Sequence, residues 1–301
     1  MSSRDLEFGA FLPRWDRYAT PDGWRRIATA AEDAGFAWVG RGDRVVFPEP
    51  EYRSRPASEL FSVLASVANE TDEIAIGTNV CVVPYRHPIH LVKEAFTLDT
   101  LTDGRFEFGV GAGWLEEEFD ALGVPYEERG PRTDEFLEIY DAACERGSVS
   151  FDGRHHSFDA VGFYPRPERD GGPPLWAGGS ASPAFRRAAE YGVGWTISGV
   201  SPEDVRDGRS RLLNAWDDYD RDGDPEIAVN VDGYVTDEST ESDEPLVGTV
   251  DSVLDGVDAY REAGATRINL TLSSTPAGDA MTIEERLEQI ERFEDEIRSA
   301  L

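Results

Sequence analysis

Strand-like and helix-like patterns alternate eight times along this chain, and this alternation limits the possible folds more than any other feature. Eight strand–helix pairs in 301 residues match a (β/α)8 barrel, whereas a doubly wound sheet usually needs fewer strands. The sequence therefore predicts an α/β fold with one TIM-barrel domain over residues 1–301. The predicted strands are Leu6 to Leu12, Ala37 to Gly40, Ile74 to Val83, Arg105 to Val110, Pro174 to Ala177, Gly194 to Ile197, Ile227 to Tyr234 and Arg267 to Leu272.

Several helices between these strands have clear start and stop signals. Thr20 is a cap with Pro21 at the first helical position, and Gly35 ends that helix. Thr282 and Glu285 have the spacing of a capping box at the start of the last helix. The predicted helices are Pro21 to Gly35, Ser58 to Glu70, Ile89 to Leu101, Thr133 to Glu145, Pro183 to Glu190, Ser201 to Tyr219, Thr249 to Ala263 and Thr282 to Ala300.

Two irregular segments interrupt the alternation, one after the fourth unit and one after the seventh strand. The first, about residues 147–173, is rich in Gly, Pro and paired charges. The second, about residues 236–245, is acidic and rich in Ser and Thr. Both are interpreted as surface insertions in the barrel rather than as linkers between domains.

The composition is strongly acidic, with a formal net charge of −31 and 60 acidic residues. Lys93 is the one lysine among 29 basic residues. Such a surface repels nucleic acid. Acidity spread along the chain, with almost no lysine, is typical of halophile proteins, because molar salt shortens the screening length to about 3 Å. We therefore expect a haloarchaeal-type protein adapted to salt.

The sequence also limits where the protein works and what it binds. No apolar run of 18 residues is present, and the first residues do not resemble a signal peptide. Cys81 and Cys144 fall in a predicted strand and a predicted helix, so a disulfide is not indicated. We expect a cytoplasmic homodimer that acts on a small-molecule substrate and binds neither membrane nor nucleic acid.

The common hydrolytic and metal-binding motifs are missing from the sequence. His155 and His156 are adjacent in an insertion and would point apart in extended chain, which disfavours a metal pair. Ser180 lies in GGSAS, which is not a GxSxG nucleophile motif. The sequence therefore predicts neither a metal site nor a serine hydrolase.

Glycine-rich segments follow the fourth and fifth strands. GVGAGW contains Gly111 and Gly113, and it is either a tight turn at the barrel rim or a close approach to a ligand. Gly178, Gly179 and Ser180 precede a helix, where bare backbone N–H groups and the helix dipole favour a phosphate. The alternative is a simple turn with a helix cap.

Three further side chains occupy the same predicted rim. Trp114 lies at the end of the fourth strand, where an aromatic ring can form the wall of a planar ligand site. Asp43 and Arg44 follow the second strand, and the alternative for them is a surface ion pair of little energetic value.

Several ordered motifs resemble one family over most of the chain. They are WVGRGDRVVFP, GTNVCVVPYRHP, LDTLTDGRFEFGVGAGWLEEEFDALGVP, FDGRHHSF, FYPRP, PPLWAGGSASPAFRRAAEYGVGW and PLVGTVDSVLDGVDAYREAGATRINL. The family is that of the luciferase-like monooxygenases, and the GVGAGW form is similar to its branch that depends on the deazaflavin coenzyme F420.

The resemblance implies a luciferase-like TIM barrel that binds F420 or, alternatively, FMN at the carboxyl face. It implies a cis peptide at Asn79–Val80, so that Thr78, Asn79 and Val80 lie behind the flavin ring. It places the cofactor phosphate at the loop from Gly178 to Ser180. Because an acidic chain repels a phosphate, local donors are needed, and Arg186 or Arg187 in the following helix is the candidate charged donor. The resemblance also places Asp43 near the deazaflavin edge.

Two departures from the family pattern affect the expected chemistry. Several F420 enzymes have a histidine where this chain has Arg44, and sugar-phosphate dehydrogenases have an acidic residue where it has Trp114. Sugar-phosphate oxidation is therefore disfavoured, and Arg44 is a candidate for holding an anionic substrate or a reduced-ring anion.

The sequence thus predicts an F420-dependent oxidoreductase that transfers a hydride between the deazaflavin C5 and a small organic substrate, with Asp43, Arg44 and Trp114 as catalytic candidates. Two alternatives stay open, an FMN-dependent two-component monooxygenase and a non-catalytic flavin-binding protein.

Overall fold

Eight parallel strands close into a barrel in the computed structural model, which describes residues 6–46, 57–240 and 242–301. The order around the barrel follows the chain, and the last barrel strand pairs with the first. The predicted TIM barrel is confirmed. The strands in chain order are β1 (Glu7–Phe11), β2 (Trp38–Arg41), β3 (Ala75–Val82), β4 (Phe106–Gly111), β5 (Ser148–Asp152), β6 (Ser157–Gly162), β7 (Leu175–Gly178), β8 (Gly194–Ser198), β9 (Glu226–Asp232), β10 (Tyr234–Val235), β11 (Val247–Gly248) and β12 (Arg267–Thr271).

All strands except β5, β6, β10 and β11 belong to the barrel, and helices connect them on the outside. Two of these helices begin with the caps that the sequence predicts, since Thr20 accepts from the Gly23 amide and Thr282 forms a capping box with Glu285. The helices are α1 (Pro21–Asp33), α2 (Leu60–Ala68), α3 (Pro88–Leu101), α4 (Glu116–Leu122), α5 (Arg129–Glu145), α6 (Ser182–Tyr191), α7 (Pro202–Asp218), α8 (Val250–Ala263) and α9 (Ile283–Arg292).

Alternation along the strands divides the side chains between the helices outside and the barrel interior. On β2, Val39 is fully buried in the apolar core, while Trp38 and Gly40 face the interior. The predicted cis peptide at Asn79–Val80 is confirmed. It lies in β3 where the pairing with β4 shifts register between Thr78 and Cys81, so this strand bulges into the barrel.

The irregular segments contain more structure than the sequence suggests. The first insertion includes β5 and β6, which form an antiparallel hairpin, and the second lies between β10 and β11, which pair in parallel. The helix α4 follows GVGAGW and was missed in the prediction. The helix α5 begins at Arg129 rather than at Thr133, because Pro131 falls within its first turn, where its missing N–H costs no hydrogen bond.

Some predicted features lie outside the described residues. They are Phe47 and Pro48 of the second-strand motif, the first five residues and position 241 of the acidic loop. Cys81 and Cys144 lie in β3 and α5, as predicted, and both are buried free thiols. None of the helices in the described segments is both long and apolar enough to cross a membrane.

Candidate functional site

The carboxyl ends of the barrel strands surround the mouth of the barrel, where two glycines lie beside the side chain of Val80. A Cβ on Gly111 would lie 2.7 Å from Val80 Cγ2, and a Cβ on Gly178 would lie 2.7 Å from Val80 Cγ1. Carbon atoms do not approach so closely, so both positions require glycine if Val80 is to stay where it is. The half-buried Val80 side chain therefore forms a low apolar floor between these two glycines.

The third glycine of GVGAGW serves a turn instead of the floor. Gly113 has a φ of 82°, which favours glycine, and a Cβ there would lie 2.6 Å from Val82 Cγ1. The turn interpretation thus applies to Gly113, which leads toward Trp114, while a close approach of a ligand to Gly111 stays a prediction.

A polar layer supports this floor from inside the barrel. The Asn79 side-chain amide donates to Thr196 Oγ1 at 3.1 Å and to Asn230 Oδ1 at 2.9 Å. Asn269 also donates to Asn230 Oδ1 at 2.9 Å. Thr78, in contrast, donates its hydroxyl proton to the Gly109 carbonyl at 2.6 Å. These hydrogen bonds fix the β3 bulge from both sides, and they use the polar atoms of Thr78 and Asn79 within the protein.

Asp43 is enclosed and paired. Its side chain is 1% exposed, and Arg86 Nη1 donates to Asp43 Oδ2 at 2.5 Å. The Val82 amide also donates to Asp43 Oδ2, at 3.1 Å, and the Asp43 amide donates to the Val80 carbonyl at 3.1 Å. The Asp43 carboxylate therefore ties the loop after β2 to the far end of β3, and the Asp43 amide holds the backbone of Val80.

Arg44 and Asp43 do not pair with each other, so the surface ion pair considered for them is wrong. Arg44 Nη1 donates to Glu118 Oε2 at 2.7 Å. Glu118, which is 1% exposed, also accepts from the amides of Val45 and Val46 at 2.7 and 3.1 Å, and from the Tyr85 hydroxyl at 2.7 Å. One carboxylate in α4 thus fastens the loop after β2 through three donors and joins it to Tyr85 in the turn after β3.

Trp114 stands at the rim as a large exposed aromatic side chain. It is 70% exposed, and the Arg44 guanidinium carbon lies 5.1 Å from the centre of its ring. A cation over an indole face is attracted to it and restricts its orientation. The ring is therefore positioned by Arg44 and Glu118 and is available as a wall of the mouth.

The loop from Gly178 to Ser180 leads into α6, and its Gly179 amide donates to the Thr196 carbonyl at 3.4 Å. Ala181 caps α6 without a side-chain hydrogen bond, and the amides of Ser180 and Ala181 have no acceptor within the described parts of the chain. Gly179 has a φ of 119°, and a Cβ there would meet only Ala184 Cβ at 3.7 Å. Glycine is needed at 179 for conformation rather than for space, and the loop exposes amides suited to an anion.

The charged donor at this loop is not one of the two arginines chosen from the sequence. Arg186 Nη2 and Arg187 Nε both donate to Asp134 Oδ1, at 2.5 and 2.7 Å, on the side of α6 that packs near α5. Arg211 reaches the loop instead, and it donates to the Ser180 carbonyl at 3.1 Å and to Ser182 Oγ at 3.1 Å. It comes from α7, which only the fold brings close.

Asp232, with Arg14 near it, is a charged residue at the mouth that was not singled out from the sequence. Along β9, Ala228 and Asn230 face the barrel interior, so the two-residue period directs Asp232 into the mouth. Burial raises the pKa of Asp232, and the nearby charge of Arg14 only partly offsets this effect. The alternation in IAVNVD was the signal that could have identified this aspartate.

Metal chemistry finds no support in the part of the chain that is described, because no three His, Cys, Asp or Glu side chains gather there in a way that could hold an ion.

The chain belongs to the luciferase-like monooxygenase family, whose model matches residues 7–297. Among curated relatives, an uncharacterized protein of Mycobacterium tuberculosis is 28% identical over 296 residues, which cover 94% of this chain and 97% of the relative.

Solved structures with the same fold differ in the cofactor that their names give. The monooxygenase RslO1 from Streptomyces bottropensis has a TM-score of 0.84 at 19% identity, covering 98% of this chain and 99% of its own. The coenzyme F420 dependent tetrahydromethanopterin reductase from Methanopyrus kandleri has a TM-score of 0.79 at 18% identity, with the same coverage. The oxygenating constituent of 3,6-diketocamphane monooxygenase from Pseudomonas putida, in complex with FMN, has a TM-score of 0.76 at 14% identity, covering 98% of each chain.

Proposed function

We propose that this protein is a coenzyme F420-dependent oxidoreductase that acts on a small organic substrate at the barrel mouth. The observation that carries the proposal is the low floor at Val80, which exists because Gly111 and Gly178 have no side chains. A bound deazaflavin would supply hydride transfer at its C5 atom. The protein's own contribution is to bind, orient and enclose the reactants and to move a proton.

The contacts of the mouth suit a flat ring with an anionic tail. Val80 would lie behind the ring. Asp43 would act as a positioning residue, since its carboxylate already accepts hydrogen bonds from Arg86 and the Val82 amide. The amides of Ser180 and Ala181 would receive the phosphate, and Arg211 would add positive charge beside them. Such local donors are needed because the protein as a whole carries a charge of −31.

Asp232 is our candidate for proton transfer. Interconversion of an alcohol and a carbonyl moves a proton together with the hydride, and a side chain near its own pKa at the working pH does this best. Asp232 faces the mouth, and its pKa is raised by burial. Arg44 and Trp114 would form the side wall of the substrate space rather than exchange protons.

The FMN-dependent monooxygenase is the second candidate, because an FMN complex has the same fold. The form of the GVGAGW motif and the F420-dependent reductase of the same fold favour F420. A non-catalytic binding protein would have no use for a carboxyl with a raised pKa at the mouth, such as Asp232. The high-salt environment, the cytoplasmic location and the homodimer stay predictions.

Replacement of Asp232 by Asn tests the proton-transfer role. We expect Asp232→Asn to bind F420 with wild-type affinity and to lose turnover about 100-fold or more, the usual contribution of a general acid or base. The screen would use F420 or its reduced form with a panel of small alcohols and carbonyl compounds in molar KCl. Asp218→Asn is the matched control, since Asp218 is exposed at the end of α7. Turnover of Asp232→Asn equal to that of Asp218→Asn would remove Asp232 from the reaction.

A further inference from the structure

The segment after β1 holds an arginine at the mouth in a fixed position. On one side of Arg14, the Pro13 carbonyl accepts from Trp24 Nε1 at 2.9 Å. On the other side, Asp16 Oδ2 accepts from Arg286 Nη2 at 2.6 Å. Because the chain is fastened on both sides of Arg14, its side chain is presented to the mouth by a rigid support.

The Arg14 guanidinium lies against aromatic rings and beside the floor of the mouth. Its carbon is 4.3 Å from the centre of the Trp15 ring and 5.3 Å from that of Phe11. A Cβ on Gly42 would lie 3.5 Å from Arg14 Nη1 and 3.0 Å from the Asn79 carbonyl oxygen. The guanidinium is therefore next to the Asn79–Val80 peptide, where the proposed ring would lie.

No residue in the described segments accepts a hydrogen bond from Arg14 or forms an ion pair with it within 4.0 Å. This is unusual in a chain with 60 acidic residues. Burial lowers the pKa of Arg14, and Asp232 is the acidic group that acts on it from a greater distance. The five donors of this partly buried guanidinium are therefore not used within the described residues and are available to an acceptor on a ligand.

Arg41, at the end of β2, shows the same deficit of negative charge. It is 1% exposed, and its Nε and Nη1 atoms have no hydrogen-bond partner in the described chain. Burial, and then repulsion from Arg14, lower its pKa to about 10. Asp43 and Glu59 oppose this effect, but neither contacts Arg41. Among the residues that the structure describes, these two guanidinium groups thus lack a contacting counter-charge.

We propose that Arg14 forms a subsite for a carboxylate or a comparable oxyanion of the substrate, so that the natural substrate is a small organic acid. This inference rests on the proposed function for the identity of the reaction. Guanidinium groups bind carboxylates through two parallel hydrogen bonds, which also orient the ligand. The sequence pointed to Arg44 for this role, but Arg44 donates to Glu118.

Asp232 provides a second test of the proposed subsite. Its carboxylate lies in Coulombic range of Arg14 and would repel a bound anion when it is ionised. Replacement of Asp232 by Asn removes that repulsion, so the subsite should bind an anion more tightly in Asp232→Asn than in the wild-type protein.

Calorimetric titration with potassium malonate, at an ionic strength held constant with KCl, tests the subsite directly. We expect saturable binding to the wild-type protein, binding at least tenfold weaker in Arg14→Gln, and no binding of the neutral analogue malonamide. Arg14→Lys should retain part of the affinity. Arg25→Gln is the matched control, because Arg25 is an exposed arginine in α1 that pairs with Asp22. Circular dichroism would confirm that each variant is folded.

The proposal is overturned if the wild-type protein does not bind malonate saturably, or if Arg14→Gln binds it as Arg25→Gln does. Repeating the titration with F420 present identifies the source of the oxyanion. Simultaneous binding supports a substrate subsite, whereas competition together with weaker F420 binding to Arg14→Gln assigns Arg14 to the cofactor and overturns the proposal. If malonate binds through Arg14 and F420 does not bind at all, the subsite stands and the proposed cofactor fails.

Discussion

Replacement of Glu118 by Ala should destabilise the protein far more than its place in a surface helix suggests. The side chain is 1% exposed and accepts from Arg44, from the amides of Val45 and Val46 and from the Tyr85 hydroxyl. Loss of one partner of a buried ion pair costs about 3–5 kcal/mol. Because water can enter at the rim once the loop opens, we expect Glu118→Ala to lower the free energy of unfolding by about 3 kcal/mol, the lower end of that range.

The measurement is urea unfolding in molar KCl, because guanidinium chloride would change the ionic strength as well. Glu117→Ala is the matched control, since Glu117 lies in the same turn of α4 and is exposed. Glu118→Gln keeps one acceptor oxygen and loses the charge, so its loss should be about 1–2 kcal/mol. If Glu118→Ala lowers the free energy of unfolding by less than about 1 kcal/mol, or by no more than Glu117→Ala does, then Glu118 does not hold the loop in this way.

Three further expectations concern the floor, the solvent and the acid limb of stability. Gly178→Val should abolish cofactor binding, because a side chain at 178 collides with Val80, while Gly147→Val should leave it unchanged, because an added Cβ at 147 meets only the Tyr164 hydroxyl at 3.4 Å. Intact binding in Gly178→Val would place the ring elsewhere. The melting temperature should rise from dilute buffer to molar KCl, as the screening length falls from about 30 Å at 0.01 M to about 3 Å at 1 M, and a flat curve would refute adaptation to salt. Burial raises the pKa of Glu32, but hydrogen bonds from three backbone amides outweigh this effect and leave the pKa lowered. The stability that Glu32 contributes should therefore be complete above the pKa of the unfolded carboxyl and lost as the pH falls through the folded pKa. A Glu32→Gln variant whose acid unfolding curve coincides with that of the wild-type protein would contradict this.

The barrel could be predicted from local sequence patterns, because each strand and helix is a short segment with its own period and caps. Arg105 to Val110, for example, predicts β4 within one residue at each end. The helix α4 was missed because it is only 7 residues long and comes directly after the glycine-rich GVGAGW segment. It is stabilised by tertiary contacts of Glu118 and Phe119, both of which are buried.

The rim residues could be predicted from their places at strand ends, but their partners could not. Asp43 and Arg44 are adjacent in sequence, yet they pair with Arg86 and Glu118, which other units of the barrel provide. Arg211 reaches the loop from Gly178 to Ser180 from the helix of the next unit. Sequence reasoning finds positions on a strand, whereas ion pairs depend on distances between elements.

Fluorescence titration of the purified protein with F420 and with FMN, in molar KCl, tests the central claim most directly. The proposed function predicts that F420 binds at least tenfold more tightly than FMN, a difference of about 1.4 kcal/mol. Equal affinities, or tighter binding of FMN, would contradict it.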